Sequence, residues 1–238
     1  MKCLKSVKID EQWNKNVVST MKKYLESYVY KDILKNPPKE EGHEDYFPTV
    51  DLDESLDAIN TQNTDFYTQY QQLKAVINSA YDMHLSFSLT SNSNHDYYVD
   101  RLFALSPFTV ALGSSSSYYV WPNTEVKEII EIPQELYDKG NTKVVSINGK
   151  DPYYFVKDYA DKHTFLKSPH GRFTYALGSM SKVQLANTPL SEEELNEEFE
   201  IKYIDNETLK FKRIMYYQGP KKAAKEVKKE EKVNRMEF

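Results

Sequence analysis

The stretch Val144-Val145-Ser146-Ile147-Asn148-Gly149-Lys150-Asp151-Pro152 admits few conformations, because four local rules agree on it. Val144, Val145 and Ile147 are β-branched and favour a strand. Asn148-Gly149 is a pair that accepts φ > 0 cheaply, so the chain turns there. Asp151 reads as an N-cap and Pro152 as the first helical residue, where its missing N–H leaves no bond unmade. The helix that follows carries Phe155, Tyr159 and Ala160 on one side. Tyr153, Tyr154 and Phe155 open that helix, and since a helix buries one stripe, at least one of them is left to face a ligand.

Glycine is scarce, at 7 of 238 residues. Phosphate cradles, nucleophile elbows and glycine-rich oxyanion loops need closely spaced glycines, and the sequence has no such cluster. The net charge of −5 gives no general attraction to nucleic acid or to an anionic membrane. A single cysteine, Cys3, supports neither a disulfide framework nor a cysteine metal quartet. The opening MKCLKSVKIDEQW lacks the apolar stretch of a signal peptide, and no run suits a membrane span, so a start at Met1 implies a cytoplasmic protein. Asn206-Glu207-Thr208 matches a glycosylation sequon and is read as a chance match.

Apolar residues at three- and four-residue spacing from Val17 to Leu34 predict one amphipathic helix over 14–35, stopped by Pro37-Pro38. Asp51 or Asp53 caps a short helix with Leu52, Leu56 and Ile59. Asp65 caps a longer one with Phe66, Tyr70, Leu73, Val76, Ile77 and Ala80 inward. From Tyr81 the pattern turns extended: His84, Phe87 and Leu89, then a polar loop over Ser91–Asp96. LFAL, PFTVAL, YYVW and EVKEIIEI follow as strand-like pieces up to Ile132, with Ser114–Ser117 as a loop. Ser168-Pro169 precedes a short helix over Gly171–Leu177, and Ser191 with Glu194 forms a capping box. Phe199-Ile201-Tyr203 and Leu209-Phe211-Arg213-Met215-Tyr217 alternate around Asp205-Asn206 and predict a hairpin. The fold class expected is α+β: a helical unit over 1–90, a mostly β region over 91–218, and a Lys/Glu-rich tail over 219–238.

Asp82-Met83-His84 is the strongest polar constellation. Two residues apart on a strand share a face, so a carboxylate there can orient an imidazole for general-base work or metal binding. The competing reading has Asp82 capping a turn and His84 packed at a junction. His95, His163 and His170 lack the i, i+4 spacing of a zinc site. No serine sits in a sharp Gly-flanked turn, so no nucleophile is identified.

Four segments occur in a telling order: YLESYVYKDILKNPP (24–38), VDLDESLDAIN (50–60), DFYTQYQQLKAVINSAYDMHLSFSL (65–89) and VVSINGKDPYYFVKDYADK (144–162). Together they resemble the non-catalytic front part of eukaryotic tail-specific, or C-terminal processing, serine peptidases. The likeness covers most of residues 14–180. It implies a PDZ-like module over about 120–180, in which the I-N-G turn flanks a groove that takes an extended or C-terminal peptide as an added strand. Ile147, Asn148, Gly149, Tyr154 and Phe155 are then the peptide-binding residues. The resemblance also implies His84 as a base, oriented by Asp82, for a serine supplied by a separate catalytic domain. On this reading the chain recognises peptides and does not hydrolyse them alone. Alternatives are a free-standing PDZ-like binding module, or a metal-dependent hydrolase using Asp82 and His84. No cofactor, nucleic acid or membrane partner is expected.

Overall fold

The computed structural model describes residues 5–39, 41–42, 46–62, 64–87 and 98–219. Asp10 opens the first helix, α1 (Glu11–Leu25), by accepting the Trp13 amide at 3.0 Å. The single helix expected over 14–35 is broken: α1 ends at Leu25 and a short α2 (Lys31–Lys35) follows a turn. The Ser27 hydroxyl donates to the Tyr24 carbonyl at 2.8 Å, a local bond that competes with helical continuation. Asp51 caps α3 (Leu52–Asp57) and Asp65 caps α4 (Phe66–Asn78), as their sequences predict. Val18, Met21, Leu25, Leu52, Leu56, Leu73 and Ile77 make the core of this helical unit.

Beyond residue 98 the chain forms three small antiparallel sheets with helices between them. β1 (Leu102–Leu105) is flanked by β5 (Lys182–Gln184) and β8 (Ile214–Tyr217). β2 (Phe108–Leu112) and β3 (Tyr118–Pro122) form a hairpin. β4 (Val144–Ile147), β6 (Glu198–Tyr203) and β7 (Thr208–Lys212) form the third sheet, in the order β4-β6-β7. The helices are α5 (Gln134–Lys139), α6 (Pro152–His163), α7 (Pro169–Ser179) and α8 (Glu192–Asn196). Phe108, Val120, Leu136, Ile147, Val156, Ala176, Phe199 and Ile201 fill the space between α6, α7 and the strands.

The opening motif folds as read: Asn148 has φ 52°, Gly149 has φ 73°, and the Asp151 carboxylate accepts the Tyr153 amide at 2.8 Å to start α6. Two strand expectations beyond residue 98 fail. Residues 125–132 turn instead, with the Ile129 and Ile130 amides both donating to the Val126 carbonyl and Val126 and Ile130 buried. The long strand expected over 209–217 is interrupted at Arg213, so β7 pairs with β6 while β8 crosses to β1. Arg213 turns inward there, its guanidinium 4.7 Å from the Phe199 ring centre and donating to the Glu194 carbonyl at 2.9 Å. The class is α+β, with more helix after residue 98 than a mostly β region. Of the expected tail over 219–238, residues 220–238 lie outside the described residues, as does the loop over 91–96.

The helical unit and the sheets share a core. Tyr67 and Tyr70 of α4 pack with Val99, Ala104, Val183, Leu185 and Leu190. The Tyr67 hydroxyl donates to the Leu190 carbonyl at 2.9 Å, and that of Tyr70 donates to the Ala186 carbonyl.

Candidate functional site

After α4 the chain enters an irregular segment, 81–87, where a strand was expected. The reason is local: the Asp82 carboxylate accepts the His84 backbone amide at 2.9 Å, closing an Asx turn. The same oxygen, Oδ1, lies 3.0 Å from His84 Nδ1, so the orienting pair forms through a turn and not through a strand face. The other oxygen accepts the Tyr28 hydroxyl at 2.6 Å. The His84 side chain is 94% exposed, while that of Asp82 is 17% exposed. His84 is therefore a surface residue, and the expectation of a histidine packed at a junction is not what the structure shows.

The electrostatics favour an ionised Asp82. Burial pulls its carboxyl upward, but the Tyr28 hydroxyl, the His84 amide and the imidazole together hold it below the usual carboxylate range. Tyr28 moves the other way, raised by burial and by its bond to Asp82. An ionised carboxylate only accepts, so a neutral His84 bonded to it carries its proton on Nδ1 and turns the Nε2 lone pair to solvent. That is the form a general base needs. Lys74, buried in α4, donates to the Phe87 carbonyl at 2.7 Å and ties down the segment after His84; burial lowers its pKa. Among the described residues no three His, Cys, Asp or Glu side chains gather as a metal-holding group.

The five residues expected to hold peptide do not face one surface. Ile147 is fully buried, pairs with Ile201 and contributes to the core. Asn148 is spent on β6: its Oδ1 accepts the Glu200 amide at 2.7 Å and its Nδ2 donates to Glu197 at 2.6 Å. Gly149 supplies the turn. Tyr154 is exposed, and Phe155 packs edge-on against Phe199. Asn148 and Phe155 line a cavity of about 390 Å³ on one side of α6, together with His163, Glu194 and Arg213.

A larger groove, of about 710 Å³, lies on the other side of α6. Val145 of β4, Tyr153 and Lys157 of α6, His170 and Phe173 of α7, and Leu112 of β2 line it. Val145, Tyr153 and Leu112 are exposed, so its walls offer apolar surface to a ligand. Of the three aromatics that open α6, Tyr153 is the one that lines this groove, and none of the five residues expected to hold peptide does. His170, Phe173 and Leu112 come from distant segments, and nothing local in the sequence marks them.

In the smaller cavity His163 Nε2 lies 2.7 Å from Glu194 Oε1, which also accepts Lys162 Nζ at 2.6 Å. Glu194 Oε2 accepts the Ser191 amide at 2.7 Å, completing the capping box of α8. Burial opposes the charge on Glu194, but these donors outweigh it and hold the carboxyl far below the usual range.

The fold has neighbours among solved structures. It is similar to mature CPAF, a chlamydial serine protease, in its complex with lactacystin: TM-score 0.53 and 15% identity, over 87% of this chain and 36% of that one. A second structure of mature CPAF aligns with TM-score 0.50 and 12% identity, over 88% of this chain and 35% of that one. The chain thus spans about a third of the length of the CPAF chains it matches, and at such identities the likeness is one of fold. It does not bear on the eukaryotic front region or on the PDZ-like module expected from the sequence. No protein-family model and no curated protein matches the chain. Among the described residues no helix is long and apolar enough to cross a membrane.

Proposed function

We propose that this chain is the peptide-recognising part of a tail-specific-protease-like serine peptidase, with His84 as a base whose serine comes from a separate catalytic part. The observation that carries peptide recognition is the groove of about 710 Å³ between β4, α6 and α7. The protease relation is supported by the fold and by the solvent-facing imidazole beside an ionised Asp82.

Recognition rests on side chains more than on an added strand. Lys143, just before β4, already pairs with Tyr119, and a bulge between Val144 and Ser146 disturbs the register. Little straight edge remains for a peptide ladder, whereas Tyr153, Phe173 and Val145 present apolar walls. The test is fluorescence anisotropy with a library of extended peptides bearing apolar side chains. Micromolar binding is expected, about −8 kcal/mol, weakened about tenfold by Tyr153→Ala. Absence of binding to every member would refute the reading. A free-standing binding module would bind the same peptides yet gain no hydrolytic activity when a catalytic domain is added.

A further inference from the structure

We infer that Tyr81 is a positioning residue that ties the segment of the Asp82–His84 pair to α6 and α7, the two helices that line the large groove; this rests on the reading of His84 as a base. Tyr81 directly precedes Asp82 and has φ 48°, a left-handed conformation that a bulky residue adopts only when its surroundings impose it. Two contacts impose it here. Its hydroxyl donates to the Asp161 carbonyl of α6 at 2.9 Å, and its ring lies 4.3 Å beneath the Arg172 guanidinium of α7. Arg172 is itself immobilised: 4% exposed, it donates to the Asp161 carboxylate at 3.0 Å and to the Leu166 and Lys167 carbonyls at 3.2 and 2.8 Å.

Asp161 also lines the groove. One side chain therefore reaches from the residue before Asp82 into the two helices that line the groove. The tether explains why tyrosine stands where glycine would sit without strain. Asp82 receives its position from both directions, from Tyr28 on its side chain and from Tyr81 on its backbone. A base on an exposed turn needs such support, because small misplacement of a catalytic group costs rate heavily.

The experiment is two-bond ¹H–¹⁵N correlation NMR of the ¹⁵N-histidine-labelled full chain, with the His84 signals identified by their loss in His84→Gln. The neutral wild-type imidazole is expected to show the Nδ1–H tautomer imposed by Asp82. Tyr81→Gly keeps the turn, since glycine accepts its φ, but removes the tether; His84 is expected to lose that signature and average between tautomers. Tyr81→Phe keeps the ring under Arg172 and is expected to retain most of it. Tyr67→Phe, which removes a hydrogen bond between the two units elsewhere, is expected to leave His84 unchanged. A folded Tyr81→Gly with the wild-type His84 signature overturns the inference, as does a wild-type imidazole with no Nδ1–H preference. Should Tyr81→Gly unfold, Arg172→Lys, which withdraws the planar guanidinium from the ring, decides on the same two outcomes. No peptide enters the measurement, so its failure is separate from failure of peptide binding.

Discussion

Asp82 and Glu194 share one electrostatic logic at the residue scale: burial disfavours each charge, and several converging donors more than restore it. Both folded carboxyls lie below their ordinary values. Each therefore contributes stability that is fully present above the unfolded pKa, roughly 4, and lost as pH falls towards the folded one. Tyr28→Phe removes a donor to Asp82 and is expected to move its titration back up, measured by carboxyl ¹³C NMR. Glu194→Gln loses the charge that His163 and Lys162 face and is expected to destabilise the protein by about 2 kcal/mol at neutral pH. Urea unfolding at pH 7 and pH 3 checks this: the gap between variant and parent narrows at the lower pH. An equal gap at both values would show that Glu194 acts only as a helix cap. The sequence displayed Asp82, His84 and the Ser191–Glu194 box, because local spacing encodes them. It did not display Tyr28 as the partner of Asp82, or the contacts by which Lys74 and Tyr81 hold the same segment, since those depend on where distant elements come to rest.

At the scale of the element, caps and turns were legible because their geometry is set within a few residues. Asp51, Asp65, Asp151 and Ser191 all sit where the sequence puts a helix start, and the helix expected from Gly171 begins two residues earlier, at Pro169. Asp151→Ala is expected to cost about 1 kcal/mol of stability through the lost cap of α6. Gly149→Ala is expected to cost about 1 kcal/mol as well. A Cβ at Gly149 meets no atom within 4 Å, so the penalty comes from φ alone. Chemical denaturation of each variant measures both. Short apolar runs were read less well: Val126, Ile129 and Ile130 have spacings that suit either a strand or a helical turn, and packing chose the turn. Arg213 lies in a plausible alternating strand, yet its guanidinium is drawn to the Glu194 carbonyl and the Phe199 ring, which ends one strand and starts another.

For the molecule as a whole, the buried Tyr67 and Tyr70 make the helical unit and the sheets dependent on each other. One unfolding transition is expected. The chain's two tryptophans report on it separately, Trp13 from α1 and Trp121 from β3. Single-tryptophan variants, Trp13→Phe and Trp121→Phe, are expected to give thermal fluorescence transitions that coincide, once each is compared with circular dichroism of the same variant. Separate midpoints within a variant would mean that the two halves unfold independently. The groove belongs to this scale too, since its lining comes from β2, β4, α6 and α7.

The sequence by itself determined the helix starts, the turn at Asn148-Gly149 and the Asp82–His84 juxtaposition, because each is decided by atoms within four or so residues. Only the tertiary structure decided that Ile147 lies in the core, that the large groove opens on the far side of α6 from Asn148, and that Tyr81 links the imidazole's segment to that groove. Those outcomes depend on which faces of distant elements meet. Burial and long-range packing set them, and neither has a signature in neighbouring residues.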